Sequence, residues 1–262
     1  MQQASKVKAP SGIVFYNGAS QIDGSPIVGI ALLGKSSNAK TGAMIQTYII
    51  RADQSPIDAV NTGADYAICG GCGHRKDAEG KRTCYVTLMH GPLMVWKSFQ
   101  RGNYMPIDAW EDLIKAPSRA DARARIATGR NVRLGTYGDP AAIPAHVWRE
   151  LLAESTGHTG YTHQWRMPIA DALRDIVMAS VDTPDERAQA VREGWRTFRV
   201  KTADAPMLPR EVTCPASDEA GKKTDCNTCQ ACKGNDGRKG TIVINAHGTA
   251  KRYFALKLQV GQ

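Results

Sequence analysis

The run Val132-Arg133-Leu134-Gly135, leading into Thr136-Tyr137-Gly138-Asp139-Pro140 and then an apolar helical pattern from Pro144 to Ser155, decides the fold. It reads as a short strand, a turn and a helix. The same alternation recurs downstream: Tyr161 to Gln164 then Ile169 to Asp175, and Ile176 to Val181 then Pro184 to Glu193. Further apolar runs follow at Thr197 to Val200, Val212 to Thr213 and Thr241 to Asn245. Short strands separated by helices predict parallel strands with right-handed crossovers, so the class is α/β. Such strands close into a full or partial barrel, or lie in an open doubly wound sheet.

Upstream of this stretch the pattern differs. Gly12 to Arg51 predicts three strands, Ile13 to Tyr16, Ile27 to Leu33 and Met44 to Arg51, with Asn17-Gly18 and Asp23-Gly24 supplying turns. Pro106 to Ala116 places Ile107, Trp110, Leu113 and Ile114 on one helical face. Gly29 to Ser36 satisfies the phosphate-loop pattern GxxxxGKS, but its middle is an apolar strand and a turn follows where a helix is needed, so nucleotide binding there is not expected.

The chain of 262 residues is 42% hydrophobic and 23% charged, which fits a folded globular protein and gives no support to disordered or fibrous classes. The longest apolar run, Ile27 to Leu33, falls far short of the roughly 20 residues that span a bilayer, and Met1 to Gly12 has no signal-peptide core. A cytoplasmic location with no membrane partner is expected. A net charge of +9 favours an anionic partner such as nucleic acid, a nucleotide or an acidic substrate. The densest cationic cluster, Arg119, Arg123, Arg125, Arg130 and Arg133, reads as a solvated helix face.

The seven cysteines carry the chemistry. Cys69 and Cys72 form a CxxC with Cys84 further on, and Cys214 is followed by Cys226, Cys229 and Cys232, two CxxC steps in series. In a reducing compartment such spacing indicates metal rather than disulfides. Serial CxxC steps let several thiolates converge on one centre. Four thiolates saturate a centre, whereas three leave a 4Fe-4S cluster with one iron open to a ligand. Spacing alone leaves iron-sulfur and zinc both open, the zinc reading taking His74 or His90 as a fourth ligand to the first set. A third arrangement joins Cys69, Cys72, Cys226 and Cys229 in one ribbon-like site.

The order of these elements resembles the radical S-adenosylmethionine superfamily over roughly residues 40 to 235. There, three cysteines follow the first strand of a partial barrel, a Gly-Gly-Glu-like motif ends the second, and ribose-binding polar groups lie on the fourth. Here strand Met44 to Arg51 precedes Cys69, Cys72 and Cys84; Gly138-Asp139 ends the next strand; and Met178-Ala179-Ser180-Val181-Asp182 is the fourth. The blocks RLGTYGDPAAIP (133–144), GYTHQW (160–165), MASVD (178–182) and TCPAS (213–217) are also similar to phage-encoded radical-SAM-like proteins of unassigned activity. Two departures stand out: CxxC and an eleven-residue gap replace CxxxCxxC, and Gly138-Asp139 replaces Gly-Gly-Glu.

The resemblance implies a partial (β/α) barrel of about six parallel strands spanning 41–210, an N-terminal β-hairpin extension over 1–40, and a C-terminal cysteine-rich auxiliary metal segment with final strands over 211–262. It implies an open 4Fe-4S cluster on Cys69, Cys72 and Cys84 and a second centre on Cys214, Cys226, Cys229 and Cys232. S-adenosylmethionine is then bound by Gly138 and Asp139 at its amino group, Ser180 and Asp182 at its ribose, and Arg199 or Lys201 at its carboxylate. His163, at a strand end, is a candidate substrate contact. The function implied is an iron-sulfur enzyme, located in the host cytoplasm if phage-encoded, acting on an anionic or nucleic-acid-related substrate. The alternative is a non-enzymatic protein stapled by zinc or iron-sulfur centres that binds nucleic acid.

Overall fold

A computed structural model describes residues 9–36, 38–235, 237, 240–247 and 252–255. The ends of the expected N- and C-terminal segments, 1–8 and 256–262, lie outside the described residues. The chain opens with β1 (Gly12–Ala19), β2 (Pro26–Leu32) and β3 (Ile45–Arg51) as antiparallel neighbours; Asp23-Gly24 turns the chain between the first two, whereas Asn17-Gly18, expected as a turn, lies inside β1 paired with Val28 and Ile27. At the first turn the Asp23 side chain accepts from Ser25 N–H at 2.9 Å and Gly24 takes φ +77°, a conformation glycine adopts without strain. Gly29 to Leu32 lies within β2 and no helix follows directly, so the GxxxxGKS match is a strand.

After β3 the chain makes α1 (Pro56–Thr62), α2 (Tyr66–Cys69) and α3 (Gly91–Gln100), with the first three cysteines on and after α2. Next come β4 (Met105–Pro106), α4 (Ile107–Ile114), α5 (Arg119–Ile126), β5 (Asn131–Tyr137) and α6 (Ala145–Leu152). Then follow β6 (Gly157–Thr159), β7 (Tyr161–Thr162), β8 (Met178–Val181), α7 (Pro184–Arg192) and β9 (Thr197–Lys201). The last elements are β10 (Glu211–Thr213), α8 (Cys226–Cys229) and β11 (Thr241–Asn245). The helix expected at Ile169 to Asp175 is instead a 3-10 helix at Pro168–Leu173.

The strands form two sheets, ordered β4-β1-β2-β3-β5-β6 and β10-β11-β9-β8-β7. The second is parallel throughout. In the first, β3, β5 and β6 are parallel, and the hairpin β1-β2 extends that sheet on the β3 side. Only Gly160 separates β6 from β7, so one stretch of chain belongs to both sheets. Gly160 is required there, since a Cβ would lie 2.8 Å from Val177.

The main core joins the faces of β1–β3 and β5 to the helices, with Ile13, Phe15, Ile30, Ile49 and Trp148 fully enclosed. Trp148 on α6 packs its ring 5.2 Å from Phe15 and donates its indole N–H to the Pro140 carbonyl at 2.9 Å. A second, smaller cluster contains Met44, Met178, Phe198, Ile242 and Ile244 together with Cys214, Cys226 and Cys232. Three of the four later cysteines are therefore part of a core of their own, and Cys229 is half-buried.

Candidate metal and ligand site

Parallel strands place their carboxyl ends on one edge, where α/β proteins build ligand sites. Residues at the ends of β5, β7 and β8 (Tyr137, Gly138, Asp139, His163 and Ser180) line one cavity of about 460 Å³. Cys69, Cys72, Cys84 and Cys214 line it too. Along β5 the cavity is lined by Arg133 and then by the consecutive residues Gly135, Thr136 and Tyr137, where the pairing with β3 is irregular.

The eleven-residue gap before Cys84 is closed by local geometry. Asp77 and Lys81 form a tight turn, with Asp77 N–H donating to the Lys81 carbonyl at 2.9 Å and Lys81 N–H to the Asp77 carboxylate at 2.7 Å. Cys84 N–H then reaches the His74 carbonyl at 3.0 Å, which returns the third cysteine to the other two. Buried Asp65 receives two bonds from Arg75, at 3.0 and 2.6 Å, and the same guanidinium reaches the Gly63 carbonyl at 2.7 Å. Gln164, fully enclosed, clamps the CxxC turn by donating to the Cys69 carbonyl at 2.7 Å and accepting from Gly71 N–H at 2.9 Å. Sequence reasoning missed Gln164; a polar residue directly after a strand end was the available signal.

The seven thiols separate into the expected three and four. Burial pushes the Cys69 thiol well above its ordinary value, and the charges of Cys72 and Cys84 add to it. Cys72 and Cys84 are also raised by burial, opposed at Cys72 by His74 and at Cys84 by Arg82. The N–H groups of His74 and Val86 donate to these two sulfurs. In the second set burial pushes Cys232 up to about 12, with Tyr161 hydroxyl bonding to its sulfur and Cys214, Cys226 and Cys229 close enough to raise it further. α8 is capped by Asp225, which accepts from Thr228 N–H at 2.8 Å, and Cys226 N–H donates to the Lys40 carbonyl at 2.8 Å. Cys69 has Cys72 and Cys84 as neighbours and Cys226 has Cys214 and Cys229, a grouping that favours two separate sets over the ribbon-like site of Cys69, Cys72, Cys226 and Cys229. Among the described residues no three His, Cys, Asp or Glu side chains converge closely enough to hold one ion.

His74, the candidate fourth ligand of a zinc set, is beside Cys72 in the same cavity. Its Nδ1 lies 2.8 Å from Thr83 Oγ1 and its Nε2 2.9 Å from Asp182 Oδ2, so both ring nitrogens are engaged. His90, at the start of α3, is outside the cavity lining. Asp182 is thereby corrected from ribose contact to partner of His74; it does not line the cavity. Ser180 does, and Gly138 does so at φ +83°, where a Cβ would meet Ile49 at 2.7 Å.

Asp139 is at the expected place in an unexpected role. Its Oδ1 accepts from Ala141 N–H at 3.0 Å and Thr162 hydroxyl at 2.7 Å; its Oδ2 accepts from His163 N–H at 2.7 Å and Gln164 Nε2 at 3.4 Å. A carboxylate offers about four acceptor positions, so none is left for a ligand's ammonium group. The residue ties the end of β5 to the end of β7. His163, the candidate substrate contact, lines the cavity with its ring edge-on to His74 at 5.5 Å.

Arg199 is a second correction. It is 2% exposed and faces away from the cavity, bonded to Glu211 at 2.6 and 2.7 Å and to the Pro206 carbonyl at 2.9 Å. Strand alternation explains this, since Phe198 and Val200 on either side point into the cavity. Lys201 likewise donates to the carbonyls of Thr202, Ala203 and Ala205. The arginine cluster is not one solvated face either. Arg123 on α5 pairs with Glu150 and reaches the Phe15 carbonyl at 2.9 Å; Arg130 reaches the Leu33 and Ala43 carbonyls at 2.8 and 3.2 Å; and Arg133 enters the cavity from β5.

Tyr137, at the end of β5, is 3% exposed, and its hydroxyl has no hydrogen-bond partner among the described residues. Burial, then the neighbouring Cys69 charge, hold its pKa well above 10. No described helix is long and apolar enough to cross a membrane. Comparison with protein-family models, curated proteins and solved structures gives no match.

Proposed function

We propose that this chain is an iron-sulfur protein of the radical S-adenosylmethionine type, with Cys69, Cys72 and Cys84 holding an open 4Fe-4S cluster. The observation that carries the reading is the presence of these three thiols in one cavity with the ends of β5, β7 and β8. The junction at Gly160 further supports a partial barrel running β3, β5, β6/β7, β8, β9 and β11, with β10 beyond.

The donor set fits the group. Burial raises all three thiols, with Cys72 and Cys84 adding to it at Cys69 and Cys72 at Cys84, a cost relieved when a cationic centre takes up the thiolates. N–H groups directed at sulfur are the outer-shell contacts that tune such centres. The buried Tyr137 hydroxyl supplies a donor beside the first set that a cluster sulfur or its ligand can accept. A cluster separates its thiolates more widely than a single ion does, so this set need not converge on one point. Cys214, Cys226 and Cys232, packed in their own apolar core with half-buried Cys229 beside them, fit a closed auxiliary centre.

When bound, the open cluster supplies the electron that cleaves a carbon-sulfur bond of S-adenosylmethionine. The chain's part is orientation and exclusion of water. Gln164 and Arg75 fix the cysteine loop, Ser180 presents a hydroxyl from β8, and Gly138 lets the backbone approach where a side chain would not fit. Asp139 holds the two strand ends in register.

Anaerobic reconstitution followed by reduction tests the reading. Adding S-adenosylmethionine is expected to change the electron paramagnetic resonance spectrum of the wild type and to leave Cys72→Ala unaffected. A wild-type spectrum that does not respond overturns it.

A further inference from the structure

Arg133 is the exceptional cation of this protein. Other enclosed arginines have strong acceptors: Arg51 has Asp53, Arg75 has Asp65, Arg199 has Glu211, and Arg196 has the carbonyls of Ala231, Gly234 and Gly240. Arg133 pairs with no carboxylate among the described residues, and its one side-chain bond is a 3.4 Å contact with the Tyr85 hydroxyl. Its remaining surface faces the cavity. A guanidinium offers five donors in a planar fork, suited to the paired oxygens of a carboxylate or phosphate.

The surroundings select further. The guanidinium carbon lies 5.6 Å from the Tyr161 ring, which packs 4.2 Å from Phe198, and Tyr85 lies 5.7 Å from His247. Lys40 lines the same cavity and neighbours Cys214 and Cys226, adding a second positive charge. Asp139, the carboxylate in the lining, is already saturated. Aromatic walls around a paired-oxygen receptor suit a ring that carries an anion. A cavity of about 460 Å³ lies in the size range of small-molecule sites.

We propose that Arg133 anchors a small anionic substrate, a carboxylate or phosphate borne on a planar ring, in the part of the cavity between the two cysteine groups. The chemistry done on that substrate rests on the function proposed above; its binding does not. The rival role for Arg133 is counter-ion to the four-thiol centre, since Cys226 is its neighbour.

The test is calorimetric titration of the anaerobically reconstituted full chain with benzoate and with phenyl phosphate, in wild type, Arg133→Gln and Arg133→Lys. Wild type is expected to bind one of the two probes, and which one identifies the anion. Arg133→Gln is expected to bind it at least tenfold more weakly, with S-adenosylmethionine affinity and metal content unchanged. Arg133→Lys keeps the charge without the fork and is expected to fall between, which keeps the proposal testable if the glutamine variant does not fold. Failure of wild type to bind either probe overturns the proposal, as does equal binding by the variants. Loss of metal from the four-thiol set in Arg133→Gln, with probe binding retained, assigns the arginine to that centre instead. Failure of wild type to bind S-adenosylmethionine, with probe binding intact, removes the proposed function and leaves the anion site standing.

Discussion

At the scale of single residues, bonding saturation separates structural from ligand-facing groups. Asp139 accepts four hydrogen bonds, so Asp139→Asn exchanges one acceptor for a donor facing N–H or hydroxyl groups. A loss of about 1.5–3 kcal/mol in stability is expected, measured by denaturant unfolding. Unchanged stability with lost S-adenosylmethionine affinity would restore the ligand role. Arg199 and Glu211 make a buried pair, so Arg199→Met strands the carboxylate and is expected to cost about 3–5 kcal/mol without altering ligand affinity. Burial raises the Glu211 pKa, but Arg199 and the Leu208 N–H outweigh it and hold the carboxyl below its ordinary 4.5. Its contribution to stability is therefore present above pH 4.5 and lost as pH falls through the lower folded value. Stability measured across this acid range is expected to fall less steeply in Glu211→Gln than in wild type.

Among the elements, strands were legible and side-chain facing was less so. β1, β2, β3, β5, β8, β9 and β11 all lie where apolar runs stand, because burial on a pleated face writes itself into composition. Parity along β9 separates Arg199 from the cavity, since Phe198 and Val200 mark the inward face. Arg133 was grouped with helix arginines by proximity in sequence, although it belongs to a strand. The cysteine loop was legible as a ligand source, but its closure through Asp77–Lys81 and Gln164 was not, since both depend on long-range contacts. Gln164 yields a prediction at this scale. Gln164→Ala frees the Cys69–Gly71 turn, and iron on the first cysteine set is expected to fall while the second set keeps its metal. Full iron loading in that variant would show that the loop is held without the clamp.

Over the whole molecule, the proposed function rests on two cysteine groups and one cavity. One group stands at the carboxyl edge of parallel strands with a ligand-sized space before it, and the other is built into a separate apolar core. The +9 net charge, which favours an anionic partner, is not presented by every arginine at the surface: Arg123, Arg130, Arg196 and Arg199 direct donors to internal carbonyls and carboxylates. The most direct measurement of the central proposal is iron and sulfide content after anaerobic purification, in wild type and in a Cys69→Ala, Cys72→Ala, Cys84→Ala triple variant. Two 4Fe-4S centres require about eight irons per chain in wild type and about four in the variant, with absorbance near 400 nm in both. Colourless wild-type protein containing zinc and no sulfide would contradict it.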